Sequence, residues 1–187
     1  MARPTQMIEM KNPKIPNPAD LHSSFSNPMG DSKLLNMKTM EVDKPLCAIG
    51  FEHDVISASL VSGHLFITEN CTQPFRVLHG GVSALIAESL ASTGAHIASG
   101  FKRVAGVQLS INHHKPAFIG DNVIAEATPI TVGRTVQVWN VELWKCDVST
   151  MKKKVLVSSS RVTLLSNMPV PEDSKEAEIK LRKHAKL

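Results

Sequence analysis

Residues 55–68 read VISASLVSGHLFIT, apolar positions alternating with small or polar ones, which is the pattern of a strand with one buried face. A loop over residues 70–78, broken by Pro74, leads to Gly80-Gly81. These glycines open VSALIAESLASTGAHIA, in which Val82, Leu85, Ile86, Leu90, Thr93 and Ile97 recur at helical spacing. The pattern predicts one long helix here. Ala84, Ala87, Ala91, Gly94 and Ala95 keep most of its circumference small, so other elements can approach it on nearly every side. After the Ser99-Gly100 break come four strand-like runs, 104–113, 123–131, 135–145 and 155–165. Pro116, Gly120-Asp121, Gly133 and the lysines Lys152, Lys153 and Lys154 separate them. Connections this short imply antiparallel neighbours. The expected class is therefore α+β: a strand, one long helix, then a four-stranded meander with the helix on one face of the sheet.

The remaining chain divides by composition. Residues 1–43 hold Pro4, Pro13, Pro16, Pro18 and Pro28, with Pro45 just beyond, among Asn, Ser and Met, and read as a mobile extension. Arg3 is its one arginine and Glu9, Asp20 and Asp31 are present, unlike an Arg-rich, acid-poor transit sequence. Residues 44–171 form the expected domain, and 172–187 a basic tail. A length of 187 residues suits one domain, and 42% hydrophobic with 20% charged residues suits a globular core. No apolar run reaches the roughly 18–20 residues of a membrane span, and residues 1–30 lack a secretory h-region. Cys47, Cys71 and Cys146 are odd in number and show no C-x-x-C spacing, so neither a disulfide framework nor a zinc site is expected, and a reducing compartment fits. A net charge of +4 suits an anionic ligand such as a nucleotide phosphate without calling for nucleic acid. The cations Lys152–Lys154 and Lys175, Lys180, Arg182, Lys183 and Lys186 read as solvated loop and tail.

The segment that carries chemistry is QPFRVLHGGVSALIAESLAS, residues 73–92. Glu88 is the only carboxylate on the helix, and among Ala84, Leu85 and Ala91 it loses hydration, as functional carboxylates often do. Ser92, four residues on, projects from the same face and can hydrogen-bond Glu88 or a water it holds. Gly80 and Gly81 sit where the helix begins. Their N–H groups are free of intrahelical partners and add to the positive end of the dipole, the makings of an oxyanion hole that an approaching carbonyl can reach past the missing side chains. His79, just before, can orient this loop or donate to a carbonyl.

These spacings resemble the active-site helix of hot-dog thioesterases of the type that hydrolyses 4-hydroxybenzoyl-coenzyme A. There a Gln, a His-Gly-Gly turn, a Glu eight residues after the first Gly and a Ser or Thr four beyond form the site. Gln73, His79, Gly80, Glu88 and Ser92 match each position. The wider run 46–171, with FKRVAGVQLSINHHKPA and QVWNVELWK, is similar to the plant 1,4-dihydroxy-2-naphthoyl-coenzyme A thioesterases of phylloquinone synthesis. The resemblance implies a curved antiparallel sheet wrapped around the helix, the hot-dog fold. It also implies acyl-CoA hydrolysis without cofactor or metal, and a homodimer that can assemble as a dimer of dimers. Glu88 would act as nucleophile or general base, the Gly80 N–H would polarise the thioester carbonyl, and Gln73 would position the thioester or water. Candidates for the coenzyme are Gly81, Lys102 and Arg103, His113, His114 and Lys115, the turn Gly133-Arg134-Thr135, and Ser158, Ser159, Ser160 and Arg161.

Two other readings stand beside this one. A composition of 4% aromatic residues without tyrosine offers little to stack a naphthoyl ring, which leaves a broad fatty acyl-CoA thioesterase open. A non-catalytic acyl-CoA-binding domain is the other, against which Glu88 with Gly80 speaks. The chain ends Ala185-Lys186-Leu187, a variant of the Ser-Lys-Leu address read by the peroxisomal import receptor, so a peroxisomal location is expected.

Overall fold

The computed structural model describes residues 29–147, 149–171 and 175–186. Its elements run α1 (Met29–Val42), α2 (Lys44–Ala48), β1 (Phe51–Ile56), β2 (Val61–Phe66), α3 (Gly80–Ala98), β3 (Arg103–His113), β4 (Asn122–Val132), β5 (Val136–Cys146), β6 (Lys153–Met168) and α4 (Lys175–His184). The six strands form one antiparallel sheet in the order β1-β2-β4-β5-β6-β3.

The long helix and the four later strands fall where periodicity places them. Three expectations are corrected. The alternating run 55–68 contains a hairpin. Ser57 breaks it: its hydroxyl accepts from the N–H groups of Ser59 and Leu60, and its own N–H donates to Leu60 O at 3.0 Å, closing a tight turn between β1 and β2. Nor do the last four strands all meander. β4, β5 and β6 do, but β3 leaves β4 and pairs along the far side of β6, becoming an edge. Its connection is held instead to the loop before α3, where the Leu78 N–H donates to Ala117 O at 2.8 Å.

The third correction concerns the ends. Residues 29–42, within the expected mobile extension, form α1 against β1, and 175–184 of the expected tail form α4. Residues 1–28 and Leu187 lie outside the described residues. The Thr39 hydroxyl of α1 accepts from the His53 N–H at 2.9 Å, and Lys38 donates to His53 O and Asp54 O at 3.1 and 2.9 Å. From α4, Leu181 packs into a small cluster with Ile56, Ile97 and Phe101, while the Arg182 guanidinium stacks 3.8 Å above the Phe101 ring. His184 and Lys183 reach Glu41 at 2.6 and 3.0 Å. The Lys186 N–H donates to Ile56 O at 2.8 Å, so the end of the described chain is docked rather than free.

The main core lies between α3 and the concave face of the sheet, with Ile86, Ala87, Leu90, Ala91 and Ala95 against Val123, Ala125, Trp139, Val141, Leu143, Val162 and Leu164. Gly94 is required by the closest approach, since a Cβ there would collide with the Trp139 ring. Gln137, buried beside it, accepts from Trp139 Nε1 at 3.0 Å and donates to Ala95 O at 3.2 Å. The far end of α3 is thereby pinned to β5, which fixes where its first turns point.

Candidate active site

The first turn of α3 is built from the loop before it. Gln73 sits in a tight reversal, its N–H donating to Val77 O and its carbonyl accepting from the Arg76 N–H at 2.8 Å, with Arg76 in the left-handed region at φ 62°. The Gln73 amide group itself makes no hydrogen bond among the described residues. His79 N–H then donates to Cys71 O at 2.9 Å and delivers His79 as the N-cap of α3.

The cap corrects one expectation. His79 Nδ1 accepts from the Gly81 N–H at 2.9 Å, so Gly81 is not a free donor. With Nδ1 accepting, Nε2 is the ring nitrogen left to donate, and the ring is exposed. Gly80 N–H, at the first helical position, has no partner among the described residues and remains a free donor at the helix start. Above it lies the His113 ring, which a Cβ on Gly80 would approach to 3.3 Å.

Two turns along α3, Glu88 is half-buried, and the Ser92 hydroxyl donates to its Oε1 at 2.8 Å, as the spacing predicts. Across from it stands Gly106 of β3: a Cβ built there would lie 2.7 Å from that same oxygen. Sequence reasoning passed over Gly106, although a glycine inside a strand-like run signals a bulge or a close approach. Gly80 and Glu88 are about 12 Å apart along the helix axis, so one thioester cannot touch both within one chain.

The candidate coenzyme contacts fall into two groups. His113, His114 and Lys115 end β3 beside Ser158, Ser159, Ser160 and Arg161 of β6, near the start of α3. Of these, His114 Nε2 and Ser159 Oγ share a hydrogen bond of 2.8 Å, whereas Ser158 and Ser160 are buried on the concave face and do not reach solvent. Lys102, Arg103, Gly133, Arg134 and Thr135 gather at the other end of the sheet. There Ser166 of β6 bonds the carbonyls of Thr135 and Arg134, and Arg103 pairs with Met168. Ten residue steps of strand separate Arg103 from His113, roughly 33 Å, so one chain cannot bring both groups to one phosphate chain. Lys153 and Lys154 are paired with Glu126 and Asp147, in keeping with a solvated loop.

Comparison with known proteins fits this geometry. Residues 75–152 match the thioesterase superfamily model. The chain is 57% identical over 143 residues to 1,4-dihydroxy-2-naphthoyl-CoA thioesterase 2 of Arabidopsis thaliana, covering 76% of this chain and 91% of that protein. It is 33% identical to a putative esterase of Haemophilus influenzae over 70% of this chain and 91% of the relative. Among solved structures, a thioesterase from Haemophilus influenzae superposes with a TM-score of 0.61 at 29% identity, over 73% of this chain and 91% of its own. With a long helix cradled by a curved antiparallel sheet and a sequence that tracks such relatives over most of its length, the chain belongs to the thioesterase superfamily and has the hot-dog fold.

Proposed function

We propose that this chain hydrolyses acyl-CoA thioesters, with 1,4-dihydroxy-2-naphthoyl-CoA, an intermediate on the way to phylloquinone, as its substrate. The observation that carries the reading is Glu88: the one carboxylate of α3, half-buried, engaged by Ser92 on a single oxygen, on the helix whose first N–H is free. Glu88 supplies the oxygen nucleophile, its own or that of a water it deprotonates. The Gly80 N–H stabilises the oxyanion as the C–S bond breaks, and water, thioester, acid and thiol balance. Gln73 and His79 Nε2–H are the polar groups at the mouth that orient the thioester. The substrate assignment is supported by the 57% identical plant relative and by a 1,4-dihydroxy-2-naphthoyl-CoA hydrolase of Escherichia coli, 32% identical over 116 residues.

We also infer that the working unit is a two-fold dimer. The distance between Gly80 and Glu88 requires a second copy, and β3 is an eleven-residue edge strand with Val107 54% exposed. Antiparallel pairing of two β3 edges sets the Arg103 end of one beside the His113 end of the other, uniting the two separated groups of coenzyme candidates, and lets Gly80 of one subunit face Glu88 of the next.

One experiment tests both. Thiol release is measured on a panel of aromatic and fatty acyl-CoA esters; the naphthoyl ester is hydrolysed fastest, and Glu88→Ala loses roughly 10²–10⁴-fold while remaining folded. Mixing Glu88→Ala with Gly80→Val after subunit exchange regains about a quarter of wild-type turnover, since half the dimers are mixed and each has one intact site of two. Wild-type rates from Glu88→Ala refute the catalytic assignment, and no recovery on mixing refutes the shared site. A peroxisomal location, read from Ala185-Lys186-Leu187, predicts that a fluorescent fusion lacking these residues stays cytosolic. Punctate fluorescence of that truncation overturns it.

A further inference from the structure

Gly106 stands in the middle of β3, among Val104, Ala105, Val107, Leu109 and Ile111, where a glycine weakens a strand and fills no core position. The β3–β6 register shifts between Gly106 and Gln108, making Val107 the extra residue of a bulge. A bulge re-aims the residues on either side of it. Gly106 itself pairs with Leu164, which is fully buried on the concave face, so a side chain at Gly106 would point toward α3. The three atoms nearest to that absent Cβ all belong to Glu88: Oε1 at 2.7 Å, Cδ at 3.6 Å and Cγ at 3.8 Å. The backbone at Gly106 is not in the left-handed region, so its conformation is open to any L-residue. Sterically, then, the glycine is there for the carboxylate and not for the turn of the chain.

We propose that Gly106 is a positioning residue for hydrolysis: the space left by its missing side chain seats Glu88 Oε1, and this seat, with Ser92 on the same oxygen, turns Oε2 toward the substrate. The inference rests on Glu88 as the working carboxylate. Oε1 accepts from the Ser92 hydroxyl at 2.8 Å and occupies the space a Gly106 side chain would take, whereas Oε2 makes no hydrogen bond among the described residues. A methyl group at Gly106 meets the far end of a flexible side chain, which can swing away. The fold therefore tolerates the change, and the carboxylate leaves its place. A displacement of about 1 Å in a reacting group can cost on the order of 10²-fold in rate.

The test is Gly106→Ala, with thermal midpoint and solution mass compared with wild type, followed by steady-state thiol release on the fastest ester of the panel. Expected are an unchanged midpoint and mass, a kcat lower by roughly 10–100-fold and a KM within about twofold. Glu88→Asp supplies the second arm, because a side chain one methylene shorter no longer reaches the seat. Gly106→Ala then adds little to the loss already caused by Glu88→Asp. A wild-type kcat in Gly106→Ala overturns the proposal, as does an equal fractional loss in the Glu88 and Glu88→Asp backgrounds. If Gly106→Ala does not fold, the double variant Gly106→Ala/Glu88→Ala decides: recovery of the fold upholds the contact with Glu88, and continued failure overturns it. Should Glu88→Ala be inactive while Gly106→Ala is fully active, the seat alone falls; full activity of Glu88→Ala removes the reading beneath it.

Discussion

The two edges of the sheet are treated in opposite ways. At β1 the chain closes its own edge: Thr39 takes the His53 N–H, Lys38 takes the carbonyls of His53 and Asp54, and the Lys186 N–H takes that of Ile56. At β3 the outer edge pairs with no strand among the described residues, most of its residues are exposed, and the Glu88 carboxylate lies against Gly106. A free edge is an aggregation hazard that proteins usually blunt. Here one edge is blunted by α1 and α4 and the other is left bare beside Glu88. The additional closing contacts thus gather at one edge of the sheet, and the Glu88 carboxylate lies beside the other.

That division can be broken by experiment. The largest effect expected is from Leu181→Ala, which removes the buried anchor of α4 between Ile56, Ile97 and Phe101. It should lower stability by about 2–5 kcal/mol, as core truncations of this kind do, while kcat per folded molecule stays at the wild-type value. Denaturant melts with parallel thiol-release assays check this; a kcat that falls with stability means the closed edge reaches into the site.

A smaller effect comes from His53. Burial lowers its pKa from 6.5 to about 4, with Lys38 and His184 acting in the same direction and Asp43 and Asp54 opposing. Its Nδ1 lies 3.2 Å from the Thr39 hydroxyl, which accepts from the His53 N–H and so keeps its own proton for the ring, and Nε2 is buried without a partner among the described residues. A histidine with a depressed folded pKa binds fewer protons folded than unfolded. Its stabilising contribution is thus complete above pH 6.5 and is lost as pH falls toward 4, by about 2–3 kcal/mol. His53→Gln should flatten the acid side of the stability profile over that window, and a profile with the wild-type slope would place the acid sensitivity elsewhere in the molecule.

Much of the site was legible because it lies on one periodic element. Glu88 and Ser92 share a face by helical arithmetic, and a His-Gly-Gly turn into an apolar helix announces a helix start. What the sequence could not convey depends on approach between distant segments. Gly81 carries a free N–H until the capping ring of His79 folds back onto it, and Gly106 is an ordinary strand glycine until α3 is laid across it. β3 was misplaced for the same reason, since short connections argue for neighbours and nothing local tells a strand to cross to β6. α1 and α4 escaped notice because they lack a strong apolar stripe: α4 is carried by the pairs Glu176–Lys180 and Glu178–Arg182 and by the buried Leu181. The candidate coenzyme residues were collected as cations and hydrogen-bond donors, a criterion with no sense of distance, and most ended at opposite ends of β3.

The clasp between Glu41 and His184 spans 143 positions of the chain. At synthesis rates of about 5–20 residues per second, α1 waits roughly 7–30 s for its partner on α4 to be made. Every strand of the sheet is available before the last closure can form. A nascent chain therefore holds a nearly complete sheet whose β1 end stays unsealed until α4 has been made. Chains stalled or clipped before α4 would keep that end of the sheet open.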